Sequence, residues 1–322
     1  MRIFIAGHNG MVGSAILRLL RSEGGHDLIT ADRRDLDLKD QAQVRAFMTA
    51  QRPDAVVLAA AKVGGIMANA TQPADFITDN LLIATNVIHA AHATGVRQMV
   101  QLGSSCIYPR NAAQPITEDA LLTGPLEPTN AAYAVAKIAA IKLCESYNQQ
   151  YGTDYRSVMP TNLYGPGDNF HPDHAHVLPA LLARFHHAVQ SGAKAVALWG
   201  SGVPRREFLH VDDLAAAVLF VMRLDSAVYR AATTPAQSHL NIGWGQDISI
   251  LDLAQLLADL TGFSGRIVCD TRKPDGTPRK LLDTARMQRL GWRPAIPLQA
   301  GLRHTYDWYL SQIKAGYALR CA

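Results

Sequence analysis

The stretch Arg2-Ile3-Phe4-Ile5-Ala6-Gly7-His8-Asn9-Gly10-Met11-Val12-Gly13 says most about how this chain folds. A short apolar run leads into three glycines spaced GxxGxxG, and a helical pattern follows. This reads as strand, turn and helix. The spacing is not GxGxxG, but the glycines should serve the same ends: a tight turn, close approach to a diphosphate, and close helix–strand packing. The helix N-terminus would then aim its free N–H groups at phosphate oxygens. A plain glycine turn is the bland alternative, and the position in the first strand–helix turn argues against it.

Outward from this loop, β-branched runs alternate with helical patterns. Asp27-Leu28-Ile29-Thr30, Ala55-Val56-Val57-Leu58 and Gln98-Met99-Val100-Gln101-Leu102 read as buried strands, with helices around 11–23, 39–51 and 74–95 between them. Such alternation builds right-handed βαβ units. A helix at 131–151 and a strand ending at Pro160 follow; then come a loop-rich region with Gly165-Pro166-Gly167 and a histidine-studded stretch, 171–187. Amphipathic patterns return at 211–223, 249–261 and 298–313. The expected fold is α/β, a doubly wound parallel sheet of Rossmann type with a smaller, interleaved α/β substrate domain. The nucleotide part is expected at 1–162 with returning segments near 207–236 and 284–322. The substrate part is expected at 163–206 and 237–283.

Composition narrows the class. The 322 residues are 48% apolar and 18% charged, which is ordinary for a globular protein. No apolar run approaches the roughly 18 residues of a bilayer span, and neither a signal peptide nor a membrane role is expected. Net charge is +4, from 31 Lys+Arg and 27 Asp+Glu. No like-charged block suggests a nucleic-acid partner. Cys106, Cys144, Cys269 and Cys321 form no CxxC pair, so a reducing, cytoplasmic setting is the simplest expectation. His171, His174 and His176 invite a metal reading, yet nothing completes a ligand pattern, and no metal is expected.

Two further groups carry chemistry. About 20 residues beyond the glycine loop, where the ribose selector belongs, stands Asp32-Arg33-Arg34. Asp32 would favour NAD through ribose hydroxyls, whereas Arg33 or Arg34 would pair with a 2′-phosphate and favour NADP. Tyr133 and Lys137 lie four apart on a predicted helix and so share a face. The cation is expected to favour phenolate and lower the tyrosine pKa. Gly103-Ser104-Ser105-Cys106 ends the fourth strand, at the sheet edge where ligands bind. Ser104 could hold a carbonyl there while hydride arrives and Tyr133 supplies a proton.

With these motifs in place, the chain resembles the extended short-chain dehydrogenases/reductases, and among them the branch acting on GDP-linked 4-keto-6-deoxy sugars. The likeness rests on Ala59-Ala60-Ala61-Lys62-Val63-Gly64-Gly65-Ile66, Gly103-Ser104-Ser105-Cys106-Ile107-Tyr108-Pro109, and Met159-Pro160-Thr161-Asn162-Leu163-Tyr164-Gly165-Pro166. It continues through Arg206-Glu207-Phe208-Leu209-His210-Val211-Asp212-Asp213 and the segment from Lys273 to Asp283. The resemblance implies an NADPH-dependent oxidoreductase with epimerase activity, converting GDP-4-keto-6-deoxy-D-mannose to GDP-L-fucose. It implies Ser104, Tyr133 and Lys137 as the reductase triad, with Cys106 and His176 inverting C3 and C5.

Implied cofactor contacts are Gly7, His8, Asn9, Gly10, Met11, Val12, Gly13, Arg33, Ser104, Tyr133, Lys137, Asn162, Leu163 and His176. Implied substrate contacts are Arg184, Trp199, Arg206, Asp275 and Lys280. The cations suit a diphosphate and the indole a sugar or base. Members are commonly homodimers through a four-helix bundle, which the helices near 80–95 and 131–150 would supply. Asn9 is a departure, because some members carry an arginine there that helps hold the 2′-phosphate. A 4,6-dehydratase would need carboxylates beside the serine, where this chain has Ser105-Cys106. A 4-epimerase needs no second acid–base set, and a non-enzymatic cofactor sensor would not need Tyr133 and Lys137 intact.

Overall fold

The computed structural model describes residues 1–171, 175–273 and 275–316, with the backbone alone of Ile66. Along the first half run β1 (Arg2–Ala6), α1 (Met11–Glu23), β2 (Asp27–Ile29), α2 (Gln41–Gln51), β3 (Ala55–Leu58), α3 (Ile66–Thr71), α4 (Pro73–Ala93), β4 (Gln98–Leu102), α5 (Ala131–Tyr151) and β5 (Asp154–Pro160). The second half holds β6 (Asn162–Tyr164), α6 (Val177–Ser191), β7 (Ala195–Trp199), β8 (Arg205–His210), α7 (Val211–Arg223), α8 (Ser226–Ala232) and β9 (His239–Ile242). It ends with β10 (Asp247–Ser249), α9 (Ile250–Thr261), β11 (Arg266–Asp270), β12 (Arg279–Lys280), α10 (Ala285–Arg289) and α11 (Leu298–Lys314).

Six strands form one parallel sheet in the order β2-β1-β3-β4-β5-β9. The chain leaves β1 for β2 on one side and later returns to β3 on the other. That reversal opens a crevice at the carboxyl ends of β1 and β3, where open α/β sheets bind ligands. Side-chain alternation explains why both faces need helices. Ile3 and Ile5 pack with Ile16 and Leu20 of α1 and with Leu214 and Val218 of α7. Phe4 and Ala6 face the other way, onto Val44 and Met48 of α2, Val87 and Ile88 of α4, and Ala140 of α5.

In the smaller half, β8 pairs in parallel with β6 and β12 and antiparallel with β10, while β7 and β11 form a separate parallel pair. Its core joins Leu181 and Phe185 of α6, Leu253 and Leu257 of α9, and Leu302 and Tyr309 of α11. No helix among the described residues is long and apolar enough to cross a membrane.

Three segments sit differently from expectation. β9 lies inside the stretch 237–283 assigned to the substrate half, yet it closes the large sheet beside β5. α11 lies in the segment expected to return to the nucleotide half, but its apolar face packs into the smaller core. The apolar pattern of α11 was legible and the surface it would cover was not; β9 was not read as a strand. The third is the 171–187 stretch, whose second half is α6, ended by Gly192 at φ +65°. Its histidines obscured a helical repeat of Leu178, Leu181, Leu182 and Phe185. His186 in this helix is buried, with Nδ1 3.0 Å from the Tyr306 hydroxyl.

Candidate active site

The glycine loop fits a diphosphate on steric and hydrogen-bonding grounds. Gly7 takes φ +89°, and a Cβ there would come within 2.7 Å of Ala60 Cα. A Cβ on Gly13 would come within 2.2 Å of the Gly7 carbonyl oxygen. The turn closes through the Gly10 amide, which donates to that same carbonyl at 3.0 Å. Gly10 begins α1 with no side-chain cap, leaving the first-turn N–H groups for an outside acceptor. Gly13→Ala therefore sets a methyl against backbone, and is expected to cost about 1–3 kcal/mol of stability and to abolish tight cofactor binding. A melting curve and a cofactor titration on the variant would check both.

At the ribose end, Asp32 Oδ1 accepts from Asn9 Nδ2 at 2.5 Å and lies 3.4 Å from His8 Nε2. Arg33 and Arg34 are exposed on the turn after β2.

The catalytic rim is built where β4 ends. Ser104 leaves the strand in extended conformation, and its Oγ accepts from the Cys106 amide at 3.3 Å. The Tyr133 hydroxyl is hydrogen-bonded to the Ser104 side chain, and its ring meets Phe76 edge-on at 6.3 Å. Lys137 is buried one helical turn on, where Nζ donates to the Leu102 carbonyl at 2.8 Å and stands 5.8 Å from the Tyr133 ring centroid. Burial pulls this ammonium down to about 8, with the nearby Cys106 sulfur acting against the shift.

Tyr133 departs from expectation. Burial, with Cys106 adding to it, pushes the phenol above its ordinary value, and only the Ser104 hydrogen bond opposes this. The expected lowering by Lys137 does not outweigh that rise. The phenol is thus protonated at neutral pH, the state a proton donor requires.

Cys106 joins this rim to the smaller half. Its half-buried sulfur lies 3.4 Å from Asn130 Nδ2 and 3.8 Å from Lys280 Nζ. Asn130 precedes α5 but does not cap it, so its amide is free for the sulfur. His176, just ahead of α6, is accessible to solvent; packing around its ring and, after it, the Lys280 cation hold the imidazole below its usual value. Lys280 reaches this position because β12 pairs with β8, setting it opposite Arg206.

Beyond them lies a second cluster. The Arg184 guanidinium and the Lys273 ammonium stand 5.0 and 5.3 Å from the Trp199 ring, which is 47% exposed. Asp275 accepts from the Ser201 hydroxyl at 2.7 Å and its amide at 2.8 Å, bonds that pull the carboxyl below its usual range. Arg206 Nη1 donates to the Thr277 carbonyl at 2.5 Å, fixing the loop that carries Asp275.

This chain matches the sequence profile described as the NAD dependent epimerase/dehydratase family over residues 3–243. It belongs to that family. It is 59% identical to the GDP-L-fucose synthase of Escherichia coli (strain K12), over 96% of each chain. Among solved structures it is similar to a GDP-D-glycero-L-gluco-heptose synthase from Campylobacter jejuni, in the presence of NADPH (36% identity, TM-score 0.89, 96% and 98% of the two chains covered). It is also similar to a GDP-L-fucose synthetase from Naegleria fowleri bound to NADP (28% identity, TM-score 0.86, 97% and 95% covered). The chain is an enzyme of the epimerase–reductase type.

Beyond the glycine loop and Arg33, the sequence-predicted residues fall into three groups. Ser104, Cys106, Tyr133, Lys137 and Lys280 meet at one rim, and the Lys280 cation acts on His176. Arg184, Trp199, Arg206 and Asp275 surround the loop before β12. The third group is engaged in the fold: Asn162 Nδ2 donates to the Glu207 carbonyl at 2.8 Å, and Leu163 packs against the main core. Asn130 and Lys273 were missed. The only sequence signal for Asn130 is a polar residue one turn before Tyr133, and for Lys273 a cation beside the Asp275 loop.

His174 and Cys321 lie outside the described residues. Among the described residues, the grouping spaced like metal ligands is His210, Asp212 and His304, which does not involve the 171–176 stretch. There Asp212 is ion-paired with Arg18 at 2.6 Å, and its amide donates to His210 Nδ1.

Proposed function

We propose that this protein converts GDP-4-keto-6-deoxy-D-mannose to GDP-L-fucose, inverting C3 and C5 and reducing the C4 ketone with NADPH. The observation that carries the reading is the position of Cys106. One sulfur borders the Ser104–Tyr133–Lys137 reductase group and also the Lys280–His176 corner. A simple 4-epimerase has no use for that second acid–base set, and a dehydratase would need a carboxylate where this chain has Cys106.

The chemistry follows from the ketone. A C4 carbonyl acidifies the protons at C3 and C5, because either carbanion delocalises into an enolate. Inversion takes a proton from one face and returns one to the other. Cys106 and His176 exchange these protons, and Ser104 and Tyr133 polarise the ketone oxygen meanwhile. Bound NADPH supplies the hydride for C4. Tyr133 then gives its proton to O4, and the Lys137 charge offsets the phenolate left behind. Arg184, Arg206 and Lys280 neutralise the diphosphate, and Trp199 covers an apolar face of the nucleotide sugar.

In this reading the large sheet holds the cofactor and the smaller half holds the GDP moiety. The protein works in the cytoplasm as a homodimer, for which Leu82, Val135 and Tyr151 offer exposed apolar surface on α4 and α5. Incubating the purified enzyme with the keto sugar and NADPH should oxidise the cofactor and yield a product two mass units heavier than the substrate. In deuterated water, label should enter at C3 and C5. No NADPH oxidation and an unchanged sugar would end the proposal.

A pH dependence follows from Lys137. It carries charge below about 8 and loses it above, so reduction should decline as pH rises through that value. Single-turnover rates from pH 6.5 to 9.5 would show the limb. A rate flat across this window would remove the ammonium from the reductive step.

A further inference from the structure

The turn after the second strand reads the adenosine ribose in a sheet of this kind. A carboxylate there accepts from the 2′-hydroxyl and repels a 2′-phosphate. This chain places Asp32 at that point with Arg33 and Arg34 directly after it, so attractive and repulsive groups for a 2′-phosphate are neighbours. The structure shows what the carboxylate is doing instead. Asp32 Oδ1 accepts from Asn9 at 2.5 Å, and His8 Nε2 lies 3.4 Å away. Both partners sit on the glycine loop, whose backbone is fixed by the Gly10–Gly7 hydrogen bond and the positive φ of Gly7.

We infer that Asn9, with His8 beside it, holds Asp32 against the glycine loop and thereby turns the ribose site toward a 2′-phosphorylated dinucleotide. Asn9 is a positioning residue here. Its amide donates to one carboxylate oxygen and so fixes the Asp32 side chain on the glycine-loop side of the turn. Arg33 and Arg34 are left as the charges that face that phosphate. Nothing in this depends on the sugar chemistry at Cys106, only on the glycine loop receiving a dinucleotide.

The test is binding rather than turnover. Dissociation constants for NADPH and for NADH would be measured by titrating nucleotide fluorescence against wild type, Asn9→Ala, Asp32→Asn and the double variant at one ionic strength. Asn9 and Asp32 are both exposed, so the variants should fold. Asn9→Ala should weaken NADPH about tenfold relative to NADH, as expected when one nearby carboxylate is released toward a phosphate. Asp32→Asn should shift preference further toward NADPH, and in that background Asn9→Ala should leave the NADPH/NADH ratio unchanged. Equal weakening of both nucleotides by Asn9→Ala, or an undiminished effect in the Asp32→Asn background, would overturn the inference. Because no sugar is present, either result stands apart from success or failure of the epimerase–reductase reading.

Discussion

Tyr133→Phe is expected to slow reduction of the keto sugar by about 10²–10⁴-fold, the usual contribution of a positioned proton donor. The variant keeps the ring against Phe76 and loses only the hydroxyl bonded to Ser104. Because burial keeps that hydroxyl protonated, the wild-type enzyme starts the reductive step with its proton in place. Hydride arriving at C4 creates an alkoxide far more basic than a phenolate, so the transfer runs downhill even from a phenol held above its ordinary pKa. Without the hydroxyl, Ser104 can still polarise the ketone but donates from a weaker acid. Cofactor affinity should survive, since the glycine loop is untouched, and solvent exchange at C3 and C5 should fall far less than reduction, since Cys106 remains and Ser104 still polarises the ketone. Single-turnover NADPH oxidation measured beside deuterium exchange separates the two activities. Reduction at the wild-type rate would show that the proton comes from elsewhere.

Cys106→Ser should act the other way, lowering exchange at C3 and C5 by a comparable about 10²–10⁴-fold while NADPH binding is retained. A thiol has a reference pKa of about 8.5, within reach of neutrality, whereas an alkyl hydroxyl does not ionise in this range. The serine would still be placed near Asn130 and Lys280, so position is conserved and proton affinity alone changes. Deuterium uptake by the keto sugar in the absence of NADPH, followed by mass spectrometry, reads this step alone. Exchange at the wild-type rate would return Cys106 to the role of a small packing residue.

Much of the site was legible because its chemistry is local. A glycine turn needs its residues consecutive, and a helical face needs Tyr133 and Lys137 at a spacing of four, so both leave a pattern in a single segment. The Cys106–Lys280 approach spans 174 positions and leaves none. It exists because β12 pairs with β8. The same holds for Arg184 and Lys273 on Trp199, which come from α6, the loop after β11 and the end of β7. Protonation states were the least legible. The Tyr133–Lys137 spacing pointed to a lowered phenol pKa, but burial, with Cys106 adding to it, raises it.

What the sequence determined alone was the alternation of strands and helices through β5, the diphosphate cradle and the presence of a phenol, an ammonium, a hydroxyl and a thiol at the carboxyl edge. Periodicity and steric demands on glycine act over a few residues, so they can be read without coordinates. Only the tertiary structure decided that β9 joins the large sheet, that α11 covers the smaller core, that Asp32 is held by Asn9 and that Lys280 reaches Cys106. Those outcomes depend on which surfaces bury each other and which charges lose water together, and neither is encoded by distance along the chain.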